Sequence, residues 1–84
     1  MREIILDCAE MTHISQFHSA IAPELGFADA CGRNYDALHD RLTALTEPTH
    51  LILRGLDRAM FPTGILRRVL WDSQEENPLL TVTL

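Results

Sequence analysis

Two carboxylates, Asp36 and Asp40, lie four residues apart in the stretch "CGRNYDALHDRLTAL", residues 31–45. On a helix this spacing places like charges side by side, which destabilises an isolated helix by roughly 0.2 to 0.5 kcal/mol. Carboxylates on a rigid helix can accept charge-assisted hydrogen bonds from the cationic side chains of a partner protein. The pair is therefore the first feature of the chain with a candidate function.

A purely structural reading explains half of this pair. Asp36 falls in the predicted first turn of its helix, where a negative charge interacts favourably with the positive end of the helix dipole. Asp40 lies one turn later and gains much less from the dipole. The sequence thus leaves open both a solvated charged face and a partner-binding face.

The same stretch could also supply a nucleophile. Cys31, His39 and one of the two aspartates are the residue types of a thiol nucleophile, a base and an orienting acid. That chemistry needs direct hydrogen bonds between these groups and an oxyanion hole, whereas His39 and the aspartates are predicted to project from a helix surface. No nucleophile elbow or phosphate-cradling glycine loop is present. We therefore expect that the protein is not an enzyme.

Metal binding is suggested by residue types but not by spacing. The candidate ligands are four histidines and two cysteines: His13, His18, His39, His50, Cys8 and Cys31. They form no CxxC, HxxxH or HExxH pattern, so we expect no metal and no cofactor. Both cysteines are predicted to be free thiols, and His18, in an apolar stripe, is predicted to be a core histidine with a backbone partner.

Length and charge limit the remaining classes of function. The 84 residues suffice for one domain, 1–84, and carry a net charge of -5 without a single lysine. This charge argues against direct nucleic-acid binding, which needs clustered basic side chains, and suits a basic partner. No apolar run is long enough to span a membrane, and the N-terminus lacks a secretory signal, so a cytoplasmic location is expected.

The first third of the chain predicts a strand followed by a helix. "REIILD", residues 2–7, is rich in β-formers, and from Thr12 the apolar residues follow a helical period. Thr12 or Ser15 is predicted to cap this helix. Pro23 removes a backbone donor, so we expect a break or kink there and an end at Gly26.

The second helix carries the aspartate pair. Gly32 is predicted to form a turn and Asn34 to cap the helix. An apolar stripe containing Leu38 and Leu42 points roughly 160° away from the two aspartates, so the leucines face the core and the carboxylates face outward. The elements that position the pair are thus the cap and the leucine stripe.

The remaining elements are a strand, a helix and a strand. "THLILRG", residues 49–55, predicts the second strand, and a third helix from Ile65 is ended by Asn77 and Pro78. Residues 79–84 form the last strand. Strands that alternate with helices favour an α/β fold, here a small three-stranded parallel sheet with helices packed on one face.

The third helix repeats the acidic spacing of the second. Asp72 and Glu76 are four residues apart, and Trp71 is predicted on the outer surface of this helix. The two acid pairs would form one negative surface if the ends of their helices were neighbours.

These residues resemble a known family. "GRNYDALHDRLT", residues 32–43, is similar to the signature of the barstar family, small intracellular inhibitors of secreted ribonucleases. The resemblance extends to the first helix, "ISQFHSAI", and to the acidic third helix that leads into "TVTL". It implies a barstar-like fold and a protein that plugs the active site of a ribonuclease.

The resemblance also implies which residues contact the partner. Asp40 matches the family's central acid, which occupies the phosphate-binding pocket of the enzyme, and Asp36 matches the acid one turn earlier. Ala30 and His39 occupy positions that are aromatic in the best-known inhibitor. The full set of predicted partner-binding residues is Ala30, Gly32, Arg33, Asn34, Asp36, His39, Asp40, Asp72 and Glu76.

Two functions of different classes remain. The resemblance implies an immunity protein, an acidic inhibitor of a basic extracellular-type ribonuclease or nuclease toxin. The alternative is a barstar-like regulatory or scaffold module that binds proteins without inhibiting a nuclease. Salt-sensitive binding through the aspartates would favour the first, and salt-insensitive binding through Trp71 the second.

Overall fold

The helices and strands follow the predicted order. A computed structural model describes residues 1–26 and 34–84. Its elements are β1 (Arg2–Asp7), α1 (Ile14–Leu25), α2 (Tyr35–Thr43), β2 (Thr49–Arg54), α3 (Gly64–Glu76) and β3 (Leu80–Thr83), with a short 3-10 turn, Leu56–Arg58, after β2. Within these described ranges, no helix is both long and apolar enough to cross a bilayer.

The three strands form the predicted parallel sheet. Its order is β1-β2-β3, and both pairings are parallel. Alternate residues such as Ile4 and Leu51 are almost completely buried, whereas Ile5 on the opposite face is 50% exposed. The helices therefore cover one face of the sheet, as the sequence predicts.

Each helix contributes a stripe of apolar residues to the core beneath it. The fully or almost fully buried members are Phe17 and Ile21 of α1, Leu38 and Leu42 of α2, and Leu66 and Leu70 of α3. Their spacing of four residues puts both members of each pair on the same helix face. The core thus fixes how α2 is rotated and which of its residues face outward.

The ends of α1 correct two predictions. The N-cap is His13, whose Nδ1 accepts from the Ser15 N–H at 3.1 Å, rather than Thr12 or Ser15. The helix also continues through Pro23 to Leu25, so of the predicted break or kink the break is wrong. Ser19, whose carbonyl loses its donor to the proline, is exposed, where water can bind that carbonyl. Gly26, with φ of 81°, ends the helix as predicted.

His18 lies in the core between aromatic rings. Its side chain is 5% exposed and packs edge-on against Phe17 and Tyr35, whose ring centroids lie 5.9 and 5.5 Å from its own. Its predicted burial is confirmed, but Nδ1 has no hydrogen-bond partner among the described residues, so a backbone partner at that atom is not found. Burial lowers the pKa of His18 because the charged imidazolium would lose its hydration.

Gly55 lies where a larger residue would collide with a neighbour. Its φ of 70° is in the left-handed region, and a Cβ at this position would lie 2.6 Å from the Cβ of Ala9. Gly64, at the start of α3, has no atom within 4 Å of the corresponding position. The close approach at Gly55 allows the chain after β2 to pass against the chain after β1.

The buried histidine should make stability depend on pH. Because the pKa of His18 is lower in the folded than in the unfolded chain, the unfolded state binds the extra proton first as pH falls below about 6.5. When the pH falls from 7 to 5, we expect the wild type to lose about 1 kcal/mol more unfolding free energy than His18→Phe, because the variant lacks the buried imidazole. Urea titrations at both pH values would measure this difference, and equal losses would contradict the assignment.

Two alanine substitutions should have opposite effects on stability. Gly55→Ala combines left-handed strain with a collision, so we expect a cost of at least about 2 kcal/mol. Gly64→Ala should be neutral or stabilise the protein by up to about 1 kcal/mol, because alanine favours a helix and meets no atom there. Chemical denaturation of both variants checks the pair, and a tolerated Gly55→Ala would refute the predicted collision.

Candidate partner-binding surface

The outer face of α2 carries both aspartates. Asp36 and Asp40 are exposed, whereas Leu38 and Leu42 of the same helix are buried at 0 and 1% exposure. This confirms the predicted division of the helix into an apolar and an acidic side. Within the described part of the chain, no ion pair reaches either carboxylate.

The beginning of α2 is fixed as the sequence predicts. Asn34 adopts an extended backbone conformation, and its Oδ1 accepts from the Ala37 N–H at 2.7 Å. Asp36 lies in the first turn, next to the positive end of the helix dipole. Both residues therefore stabilise the end of the helix at which the acidic face begins.

The other end of α2 is held by Asn77, the residue at which α3 ends. The side-chain amide of Asn77 is buried, and its Nδ2 donates to the carbonyls of Leu42 at 3.0 Å and Leu45 at 3.2 Å, with Thr43 at 3.4 Å. Its Oδ1 accepts from the Leu79 N–H at 3.0 Å. Asn77 thus binds two carbonyls that the end of the helix leaves without partners, those of Leu42 and Thr43, and one carbonyl just beyond the helix, that of Leu45.

This role of Asn77 is missed by sequence reasoning. The sequence identifies Asn77 only as the residue that stops α3, and the structure confirms that it is the C-cap. The contacted carbonyls lie more than thirty residues earlier. An asparagine beside a proline has an obvious local explanation, so no local pattern predicts the contact with α2.

A contact between a histidine and a carboxylate joins α2 to α3. The Nε2 of His39 lies 3.2 Å from a carboxylate oxygen of Glu76, and the His39 side chain is 32% exposed. His39 lies at the surface of α2, as the sequence predicts, and its ring is directed toward α3. The pairing requires that the acidic helices be neighbours, the condition for a common surface.

Asp72 extends the acidic surface along α3. It is exposed and lies one turn before Glu76, so both carboxylates occupy the same side of the helix. The structure therefore brings Glu76 to α2 through His39 and leaves Asp72 one turn away. We call Asp36 and Asp40 of α2, together with Asp72 and Glu76 of α3, the acidic surface.

Three of the predicted site residues precede the described part of α2. Ala30, Gly32 and Arg33 lie outside the described residues, as does Cys31 of the hypothetical thiol site. Cys8 is a buried free thiol, as predicted. Burial, followed by the nearby charge of Asp7, raises its pKa and keeps it protonated. Cys8 therefore acts as a small apolar core residue.

Metal sites and cavities are the other kinds of candidate site among the described residues. In residues 1–26 and 34–84, no three histidine, cysteine or acidic side chains are grouped as metal ligands would be. A cavity of about 230 Å³ lies near the start of α2 and is lined by His13, Ile14, Tyr35, Phe61, Pro62 and Ile65. Typical ligand pockets measure about 300 to 1,000 Å³, so this cavity is small for one. The acidic surface is the stronger candidate.

Comparison with known proteins identifies relatives of this chain. A family model described as "Barstar (barnase inhibitor)" matches residues 1–64. A Bacillus subtilis (strain 168) protein named "Putative ribonuclease inhibitor YrdF" is 38% identical over 58 residues. That alignment covers 68% of this chain and 64% of the relative, so it spans somewhat less than two thirds of the relative's length. The family match includes α2 but ends at the first residue of α3.

The hydrogen bonds of the Asn77 side chain, which we call the clamp, can be tested by an isosteric substitution. Asn77→Asp would replace the Nδ2 donor by an oxygen facing three carbonyls in a buried position, so we expect it to reduce stability by at least about 2 kcal/mol. Asn34→Asp is the matched control, because aspartate caps a helix as well as asparagine and should leave stability almost unchanged. Urea unfolding measures both, and equal effects would show that the clamp contributes little.

Proposed function

The chain belongs to the barstar family, and from this premise we propose that it is an inhibitor of a ribonuclease that uses its acidic surface to occupy the active site of the enzyme. The partner is a basic extracellular-type ribonuclease or nuclease toxin, and the protein acts as an immunity protein in the cytoplasm of the cell that makes it. It performs no catalysis itself and does not bind nucleic acid directly.

The observation that carries this proposal is the pair of exposed carboxylates on α2. Asp36 and Asp40 project from a helix whose start is capped by Asn34 and whose end is held by Asn77. A ribonuclease active site collects cationic side chains that bind phosphates. Carboxylates held in place can accept charge-assisted hydrogen bonds from those side chains with little loss of entropy on binding.

The mechanism is therefore electrostatic mimicry of the substrate. Asp40 enters the phosphate-binding pocket, and Asp36 contacts cations one turn away. Asp72 lies on the neighbouring helix and extends the same charge, while Glu76 orients His39 at the boundary of the contact. The net charge of -5 attracts a basic enzyme over a distance and speeds their encounter.

Specificity would depend on residues around the aspartates. His39 and Ala30 replace aromatic residues of the best-known inhibitor, so they present less apolar area to the partner. Aromatic side chains commonly supply the strongest contacts in an interface. We infer that this chain recognises a nuclease with a different surface around its catalytic cleft.

One observation favours the scaffold alternative. Trp71 is 61% exposed on α3, as the sequence predicts, and tryptophan is enriched among the residues that dominate interface energies. It lies on the side of α3 away from Glu76. A partner bound through Trp71 would not need to contact the aspartates.

Substitution of the central acid tests the inhibitor proposal. The test enzyme is a basic ribonuclease that the wild-type chain inhibits. Asp40→Ala should weaken its inhibition at least about 30-fold, because the substitution leaves buried cations of the enzyme without partners. Glu10→Ala removes the same charge from an exposed position outside the acidic surface and should have little effect. Inhibition constants from an RNA cleavage assay would measure both.

The salt dependence of binding separates the two functions. Binding through the aspartates should weaken steeply as salt increases, whereas binding through Trp71 should change little. Equal effects of Asp40→Ala and Glu10→Ala would place the contact elsewhere. Unchanged RNA cleavage at excess protein, with salt-insensitive binding that Trp71→Ala abolishes, would support the scaffold function instead.

A further inference from the structure

The two edges of the sheet differ in whether their backbone groups have partners. Just before β3, the Leu79 carbonyl accepts from the Thr49 N–H of β2 at 2.8 Å, so the N–H groups of Leu80 and Val82 in β3 point to the outer edge. Both are bound within the chain. Leu80 donates to the Asn77 carbonyl at 3.0 Å, and Val82 donates to Oε1 of Gln74 at 2.7 Å. This edge is closed to another strand.

Among the residues that the structure describes, no strand pairs with the outer edge of β1. The N–H groups of Arg2 and Cys8 donate to the carbonyls of Pro48 and Arg54 at 3.0 and 2.8 Å, so even-numbered residues bond to β2. In a parallel ladder the alternate residues, Glu3, Ile5 and Asp7, then direct their N–H and C=O groups away from the sheet. Within residues 1–26 and 34–84, none of these three N–H groups has a hydrogen-bond partner. β1 therefore has the backbone pattern that pairs with an added strand.

The side chains at this edge oppose pairing with a second copy of the chain. Glu3, Ile5 and Asp7 alternate as acid, apolar residue and acid on the exposed face. Antiparallel pairing centred on Ile5 would put each Glu3 opposite the Asp7 of the other copy. Like charges directly opposite each other destabilise a strand pair.

The alternation of acid, apolar residue and acid on β1 instead suits a partner strand that carries basic residues. Ile5 is 50% exposed and offers an apolar contact at the centre of the edge. Glu3 and Asp7 flank it, and both carboxylates are exposed. Glu3 lies 4.0 Å from Nδ1 of His50, and Asp7 accepts a hydrogen bond from the Ala9 N–H at 3.1 Å. Basic side chains opposite both acids would turn each repulsive pair into an attractive one.

We propose that the free edge of β1 binds an extended protein segment that carries basic, apolar and basic residues at alternate positions. The backbone of the segment continues the sheet, its apolar residue contacts Ile5, and its basic residues pair with Glu3 and Asp7. This site lies on β1 and shares no residue with the acidic surface, so it does not depend on ribonuclease inhibition. The pattern is symmetric, and the segment can run in either direction.

The test is an NMR titration of the ¹⁵N-labelled full chain with the capped peptide TKTITKT at physiological salt. We expect the amides of Glu3, Ile5 and Asp7 to shift most, and the peptide TETITET not to bind. Ile5→Pro should abolish binding without unfolding the protein, since the Ile5 N–H points away from β2 and proline is tolerated at such edge positions.

Charge reversal provides the matched comparison. Glu3→Lys should weaken binding of TKTITKT about fivefold or more, because one cross-strand pair becomes repulsive. Glu75→Lys makes the same change at an exposed position on α3 and should have no effect. Glu3→Lys also makes antiparallel self-pairing complementary, with lysine opposite Asp7, so sedimentation should detect a dimer that the wild type does not form.

Three outcomes would overturn the proposal. The first is an absence of binding by TKTITKT. The second is a peptide that shifts the amides of α2 rather than those of β1, which would mean attraction to the acidic surface. The third is equal weakening by Glu3→Lys and Glu75→Lys, which would mean that only the net charge of the protein matters.

Discussion

The buried amide of Asn77 is the contact on which the arrangement of α2 most depends. Its Nδ2 reaches carbonyls at the end of α2, and its Oδ1 binds the backbone just before β3. One side chain therefore connects the second helix, the end of the third and the last strand. Because a buried amide without partners would be costly, these three elements cannot separate without a substantial loss of stability.

The core and the clamp together hold the acidic helix rigid. Leu38 and Leu42 fix the rotation of α2, Asn34 fixes its start, and Asn77 fixes its end. The repulsion between Asp36 and Asp40 costs a fraction of a kilocalorie per mole, which such contacts readily offset. A rigid helix can thus retain two neighbouring charges that favour contact with a cationic partner.

Small size explains why, among the described residues, one face of the sheet is uncovered and its β1 edge is unpaired. Parallel sheets are usually covered on both faces, but this chain has only three helices of more than one turn in its described parts, and they pack on one face. The chain closes the β3 edge with Gln74 and Asn77. At β1 the exposed acidic side chains Glu3 and Asp7 flank Ile5, the pattern from which we propose that a basic strand is selected.

Periodicity in the sequence determined much of this protein. The spacing of Leu38 and Leu42 predicted which side of α2 is buried, and hence that Asp36 and Asp40 face outward, because the period of a helix is set by backbone geometry. The element order and the parallel sheet followed from the alternation of strands and helices. The resemblance of residues 32–43 to the barstar signature supplied the family, which periodicity alone does not.

Only the tertiary structure decided which distant groups meet. The contacts of Asn77 with Leu42, of His39 with Glu76 and of Gln74 with Val82 depend on how the elements pack. The path of α1 through Pro23 was likewise unpredictable, because the cost of a proline depends on whether the carbonyl it frees lies at the surface. Local patterns specify the elements and their faces, whereas pairings between elements arise from a packing that no single stretch encodes.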